Sequence, residues 1–458
     1  MEQNKMINAS AIEKKVLQKI TPTNKDKKRI QKIIEELKKN VQKELTKKQL
    51  PAKIELVGST AKDTYLRNNL DIDMFLLFPT SYQKKEIGRH AINIGRKILK
   101  KTEECYAEHP YIRGYYKNIK TEIVPSYQIE KPSQKLSAVD RTPLHTKYVI
   151  KNLKQTQKRE VRLLKQFMRG IGCYGAEAEI EGFSGYLCEI LIIRYGSFKE
   201  LIKNAKNWET KHTITLTNQK HPDFDAPLIF IDPVDNNRNV ASAVSKEKYE
   251  LFIEACREYD KKPRITFFFP KKTKPWSLKK IKEEIKKQNH KYIGLKLDKP
   301  DIIPENLYPQ IRKAIRSIKE SCERNNFTIY KTSFCLENKK ILIILETKKE
   351  SLSPTMIHVG PPLELKQNAE DFIKKWVNNK RVVKKPYEKN GKLYVEIKRE
   401  YTKLDEYLEN QVKNLSLGKQ LEKSKQKGYK IMGQEELLTE DLRVFWTEYL
   451  DGKKPWER

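Results

Sequence analysis

Along the N-terminal part of the chain the spacing of apolar residues changes repeatedly, and each change marks an element. Ile30, Ile33, Ile34, Leu37, Val41 and Leu45 recur at helical spacing. They predict an amphipathic helix, with Thr21-Pro22 as its cap and first turn. Ile54-Glu55-Leu56-Val57 reads as a short strand, and Gly58-Ser59 as a turn leading into about a dozen residues of helical character. A second strand, Asp71-Ile72-Asp73-Met74-Phe75-Leu76-Leu77-Phe78, follows. Alternate residues of a strand share a face. Asp71 and Asp73 therefore project together, while Ile72, Met74, Leu76 and Phe78 turn into a core. A helix around Glu86–Glu103 and strands near Tyr111–Lys117 and Thr121–Val124 continue this α/β unit, which ends with Asp140–Ile150.

From Arg159 to Asp260 the periodicity is mostly helical. Glu160–Met168 is amphipathic, and Gly185–Tyr195 is almost uniformly apolar. Leu228–Ile231 predicts a strand entering a turn at Asp232-Pro233-Val234-Asp235, and Ser245–Tyr259 a closing helix. Beyond Lys262 aromatics and lysines interleave, as in Phe267–Trp276, ahead of a lysine-rich helix reaching Lys287. A strand (Tyr292–Leu297), a helix (Asn306–Asn325) and two strands (Thr328–Leu336 and Ile341–Thr347) then give a β-α-β-β order, the beginning of a ferredoxin-like or RNA-recognition-like layer. Asn390-Gly391, between the runs Arg381–Tyr387 and Lys392–Ile397, predicts a hairpin turn.

Length and charge narrow the class. A chain of 458 residues holds several cores, and its 94 basic against 60 acidic residues leave a formal charge of +34. Such an excess points to a polyanionic partner, nucleic acid before an anionic membrane surface. No stretch approaches the length of a membrane span, and the first ten residues lack the apolar core of a secretory signal. The cysteines (Cys105, Cys173, Cys188, Cys256, Cys322 and Cys335) are scattered, without zinc or disulfide spacing. These features lead us to expect a cytoplasmic protein.

Paired carboxylates on a rigid strand repel unless a cation lies between them, and a hard divalent ion prefers such oxygen ligands, commonly shared with substrate phosphates. Backbone N–H groups and the hydroxyl at Gly58-Ser59 suit an anion. The combination points to phosphoryl or nucleotidyl transfer. A third carboxylate on a neighbouring strand is then required, and Glu122, in Lys120-Thr121-Glu122-Ile123-Val124-Pro125, is the candidate.

Gly58-Ser59 with Thr64, followed by Asp71-Ile72-Asp73, resembles the DNA polymerase beta-like nucleotidyltransferase superfamily. The wider pattern is similar to the archaeal (class I) CCA-adding enzymes. It runs through Val57–Thr64, Tyr106–Tyr111, Ser137–His145, Glu160–Lys165, Tyr174–Glu177, Gly182–Glu189, Asp232–Ala241 and His358–Pro362. The resemblance implies an α+β multidomain fold: a polymerase-beta-like head with a mixed sheet (residues 1–150), a helical nucleotide-recognition domain (151–262), and ferredoxin-like tRNA-binding body and tail domains (263–458).

The same resemblance implies roles. Asp71, Asp73 and Glu122 match metal-binding catalytic carboxylates that hold Mg²⁺. The third is most familiar as Asp, and the longer arm of Glu122 would push an ion outward unless its strand sits back. Gly58, Ser59, Lys62, Thr142, His145, Lys165 and Tyr174 match positions that bind CTP and ATP, and Arg238 matches an arginine at the base edge. The implied reaction is template-independent addition of C-C-A to tRNA, held by its acceptor stem and TΨC arm, by a homodimer. A poly(A) polymerase would share the carboxylates but add one nucleotide repeatedly. A non-catalytic RNA-binding relative is the alternative outside enzymes.

Overall fold

The structure, a computed structural model, describes residues 2–106, 108–218, 220–348 and 351–458. Met1, and Ala107 within the Tyr106–Tyr111 motif, lie outside the described residues. The chain divides into two compact units, residues 1–272 with 454–458, and residues 273–453.

The first unit opens with helices α1 (Glu2–Ile20) and α2 (Asn24–Lys47). The cap of α2 is Thr23, two residues past the expected Thr21-Pro22, because Asp26 completes a reciprocal box. Thr23 Oγ1 accepts from the Asp26 N–H at 3.1 Å, and the Asp26 carboxylate accepts from the Thr23 N–H at 2.9 Å. Strand β1 (Lys53–Val57) leads to α3 (Gly58–Lys62) and β2 (Asp71–Phe78). Helix α3 is a single turn, shorter than expected, because Asp63 adopts a left-handed φ of 52°. Arg162 and Lys27 each donate to the Asp63 carboxylate at 2.7 Å and fix that stop.

Helix α4 (Lys84–Ile98), β3 (Lys100–Tyr106), β4 (Pro110–Tyr116) and β5 (Ile119–Tyr127) complete a sheet of order β1-β2-β5-β4-β3. Only β2 and β5 pair in parallel, so the sheet is mixed. The helix expected to reach Glu103 ends at Ile98 because the following residues pair with β4. Ile72, Met74, Leu76 and Phe78 are buried against Ile34, Leu37 and Val41 of α2, on the face the alternation assigns to the core.

The rest of this unit is mainly helical: α5 (Arg141–Asn152), α6 (Gln157–Gly170), α7 (Gly185–Tyr195), α8 (Phe198–Ala205), the short parallel pair β6 (His212–Ile214) and β7 (Leu228–Phe230), and α9 (Lys246–Lys261). Its aromatic core gathers Phe167, Phe198, Tyr259 and Phe267. The last five residues return to this core. Trp456 stacks on Phe267 with ring centroids 5.3 Å apart, and its Nε1 donates to Glu258 at 2.8 Å.

The second unit begins with α10 (Leu278–Gln288), β8 (Lys291–Asp298), α11 (Pro304–Arg324), β9 (Lys331–Glu337) and β10 (Lys340–Thr347). A small sheet follows, β11 (Thr355–Pro362), β12 (Val382–Lys389) and β13 (Lys392–Lys398), packed against α12 (Lys366–Val377). Its β12–β13 hairpin turns at Asn390 and Gly391, whose φ of 52° and 71° suit a tight primed turn. After α13 (Leu404–Gln411) and α14 (Lys419–Lys427), β14 (Tyr429–Met432) joins β8. The order β14-β8-β10-β9, antiparallel throughout, completes the ferredoxin-like layer whose first half was expected. Among the described residues no helix is long and apolar enough to cross a membrane.

Candidate active site

Parallel pairing of β2 and β5 places Asp73 opposite Glu122 and Asp71 opposite Lys120, so all three acids share one face of the sheet. On the other side Asp73 pairs with Val57, the residue before Gly58. A Cβ on Gly58 would lie 1.9 Å from Asp73 Oδ2, and its φ is +73°. Only glycine admits both the backbone conformation and the carboxylate above it.

Burial, then the charges of Glu122 and Asp71, push the Asp73 carboxyl up to about 7, while Lys62 and Lys120 oppose the rise. Lys120 Nζ stands 3.9 Å from Asp71. The longer arm of Glu122 is taken up by Arg113 of β4, directly opposite it, whose Nε donates to Glu122 Oε1 at 2.7 Å.

The donor set fits a hard divalent cation. The acids are acceptor-only oxygens on adjacent strands, and their mutual repulsion is visible in the raised Asp73. Among the described residues no three His, Cys, Asp or Glu side chains are gathered tightly enough to form a finished metal site.

Next to the carboxylates lies a buried charge cluster centred on Glu189 of α7. Glu189 Oε2 accepts from Lys62 Nζ at 2.5 Å, and Oε1 accepts from Lys165 Nζ at 3.0 Å and from Thr64 Oγ1 at 2.5 Å. Lys165 also donates to Thr64 Oγ1 at 3.1 Å. The side chains of Glu189, Lys165 and Lys62 are 1%, 2% and 7% exposed. Burial alone would raise the Glu189 pKa, but the two ammonium groups hold it well below the usual carboxylate range. Tyr174 borders the cluster. A Cβ on Gly185 would lie 3.1 Å from its hydroxyl and 3.7 Å from Lys165 Nζ, so backbone approaches both closely.

A third cluster centres on Asp232, at the end of β7. Its Oδ2 accepts from His145 Nε2–H at 2.8 Å and from Arg238 Nη1 at 2.9 Å, and its Oδ1 accepts from the Tyr186 hydroxyl at 3.1 Å. Burial opposes ionisation of Asp232, yet His145, the Val234 N–H and Arg238 bring its pKa to about 2. The His145 pKa is lowered, chiefly by burial. His145 stacks on Tyr186 with centroids 4.1 Å apart. Lys62 Nζ, 5.9 Å from the Tyr186 ring centroid and coupled electrostatically to Asp73, links the three clusters.

The structure thus brings together Gly58, Asp71, Asp73, Glu122, Lys62, Lys165, Tyr174, His145 and Arg238. Helix α5 packs on α3, placing Thr142 and Ser59 on neighbouring elements. Among the described residues no side-chain hydrogen bond joins either of them to the clusters; the Thr142 carbonyl accepts from Thr146, and the Ser59 carbonyl from the Thr64 N–H. Sequence reasoning missed Glu189, Asp232, Tyr186 and Arg113. Glu189 left one signal, a lone acid in an otherwise apolar helix turn, where an unpaired charge is too costly to stand.

A nucleotidyltransferase-domain family matches residues 18–145, a tRNA nucleotidyltransferase second-domain family residues 159–269, and a CCA-adding enzyme C-terminal-domain family residues 289–434. The CCA-adding enzyme of Methanosarcina acetivorans is 35% identical over 95% of this chain and 97% of its own length. That of Archaeoglobus fulgidus is 34% identical over 96% and 98%. A solved structure of E. coli MS115-1 CdnC with ATP covers 56% of this chain and 94% of its own, at 16% identity and a TM-score of 0.44. On this near full-length likeness, the chain belongs to the CCA-adding enzyme family, a nucleotidyltransferase family.

Proposed function

We propose that this chain completes tRNAs that lack their terminal C-C-A, adding CMP, CMP and AMP from CTP and ATP without a nucleic-acid template and releasing pyrophosphate at each step. The observation that carries the reading is the register that sets Asp73 opposite Glu122 and against Gly58, one helical turn from Lys62. Asp71, Asp73 and Glu122 would hold Mg²⁺, which when bound acidifies the tRNA 3′-hydroxyl and offsets charge on the departing pyrophosphate.

The chain's own groups do the rest. Gly58, Ser59, Lys62, Lys165 and Tyr174 hold the triphosphate, with Thr142 beside them. The 3′-oxygen bonds to the α-phosphorus as the bond to the bridging oxygen breaks. Arg238 and His145, oriented by ionised Asp232, face the base. His145 is kept neutral by burial and keeps its proton on Nε2 toward Asp232, which leaves Nδ1 as an acceptor. A wrong base would fail to satisfy the donor and acceptor these groups present, which is how a pocket discriminates without a template.

We assign residues 1–150 to catalysis, 151–272 with 454–458 to nucleotide recognition, and 273–453 to the acceptor stem and TΨC arm of tRNA, in a cytoplasmic homodimer; the expected boundary at 262 moves because Phe267 and Trp456 pack in the core of the first unit. An A-form helix is recognised by shape and phosphate contacts, which suits a chain of net charge +34.

The test is a tRNA transcript ending before C-C-A, incubated with labelled CTP, ATP or both. Growth by three residues, with CTP required before ATP, is expected. A long A-tail would instead identify a poly(A) polymerase, and tight tRNA binding without incorporation a non-catalytic binder. Asp73→Ala should abolish incorporation while leaving tRNA affinity largely intact; near wild-type addition by that variant would refute the metal assignment.

A further inference from the structure

The two lysines assigned to the triphosphate are both already engaged by a carboxylate. Glu189 uses one oxygen for Lys62 and the other for Lys165 and Thr64. All three side chains are buried, and two lysines share one carboxylate. Without Glu189, two ammonium groups would stand close together in a desolvated space with no anion between them.

The lysines are not equivalent. Lys165 is the deeper, bonded also to the hydroxyl and carbonyl of Thr64. Lys62 lies at the outer edge, faces the Tyr186 ring and interacts electrostatically with Asp73. It ends a one-turn helix whose stop, Asp63, is clamped by Arg162 and Lys27, so backbone motion cannot carry it far. What remains free is its four-carbon side chain.

We propose that Glu189 is the resident counter-ion of the triphosphate site. It holds Lys62 and Lys165 in place when no nucleotide is bound, and it yields Lys62, not Lys165, to the incoming phosphates. Glu189 is on this view a positioning residue that competes with the nucleotide for one lysine. The inference rests on the reading that these lysines serve the triphosphate.

Binding of CTP and of pyrophosphate to the full-length protein, followed by calorimetry and by thermal shift, tests it without turnover. Glu189→Gln should melt earlier than wild type when free, yet bind pyrophosphate more tightly, by about tenfold, because no anion has to be displaced from Lys62. A purely structural Glu189 would give the lower melting temperature with equal or weaker binding, and that result overturns the proposal. If the Gln variant does not fold, Glu189→Asp keeps a buried carboxylate of shorter reach. Tighter pyrophosphate binding is again expected, and unchanged or weaker binding again refutes.

Lys62→Met and Lys165→Met separate this failure from that of the underlying assignment. If neither weakens pyrophosphate binding, the lysines do not serve the triphosphate at all. If both do but the Glu189 variants bind no better than wild type, only the counter-ion role is lost.

Discussion

A carboxyl group raised from 3.8 to about 7, as Asp73 is, weakens the fold when ionised. Between those values the native chain holds a proton that the unfolded chain has released. The stability this group contributes is therefore full below pH 4, declines as pH rises through about 7, and stays low above it. Asp73→Asn removes the ionisation. The metal-free variant should be more stable than wild type at pH 8, on the order of 1–3 kcal/mol, and nearly equal at pH 4. Chemical denaturation in chelator at both pH values measures this, and a less stable variant at pH 8 would refute the account. Added Mg²⁺ should stabilise wild type alone.

The Asp71–Asp73 pair was legible because strand alternation is a local rule. Glu189 was not, because its meaning depends on Lys62, 127 residues away. Arg113 was hidden by a register that only the folded sheet defines. Glu122 was read as an acid too long for its place, and its extra reach is taken up by that arginine.

Elements with a simple period were equally legible. Helix α7 spans the apolar run that predicted it, and the alternation of β2 placed its buried face. Boundaries set by distant partners were not. Helix α4 gives way to β3 because pairing with β4 outcompetes local helical preference, and α3 stops after one turn at a residue gripped by α2 and α6.

The C-terminal return is the clearest case, since nothing near Trp456 announces that it caps a core built from α6 and α9. Its side chain is fully buried on Phe267, and its carbonyl accepts from Thr266 Oγ1 at 2.6 Å. Trp456→Ala should cost the first unit about 3–5 kcal/mol, and Trp456→Phe less, because stacking survives while the bond to Glu258 is lost. Urea denaturation monitored by circular dichroism checks this; a loss under 1 kcal/mol for the alanine variant would show that the last turn is dispensable.

For the whole molecule the governing quantity is charge. A surplus of 34 positive charges acts on a polyanion mainly by releasing its condensed counter-ions. If about six phosphates are neutralised, tRNA affinity should fall roughly 10³-fold between 50 and 200 mM salt. CTP, with few charges and a buried lysine site, should respond far less. Titrations at four salt concentrations, with the logarithm of affinity plotted against that of salt, give the slope. A flat line for tRNA would mean that the basic surplus serves another purpose.

The parallel pairing of β2 with β5 also has an evolutionary consequence. The two strands are not neighbours in the chain: α4, β3 and β4 intervene between Phe78 and Ile119. Insertions or deletions in those connections change how the chain travels, while the hydrogen-bond ladder still sets Asp73 against Glu122. A one-residue slip of the ladder itself would offer Thr121 or Ile123 in place of the acid. Length changes in the intervening connections should therefore spare the carboxylate pairing so long as β4 keeps Arg113 opposite Glu122, whereas a register slip beside Glu122 removes the third acid.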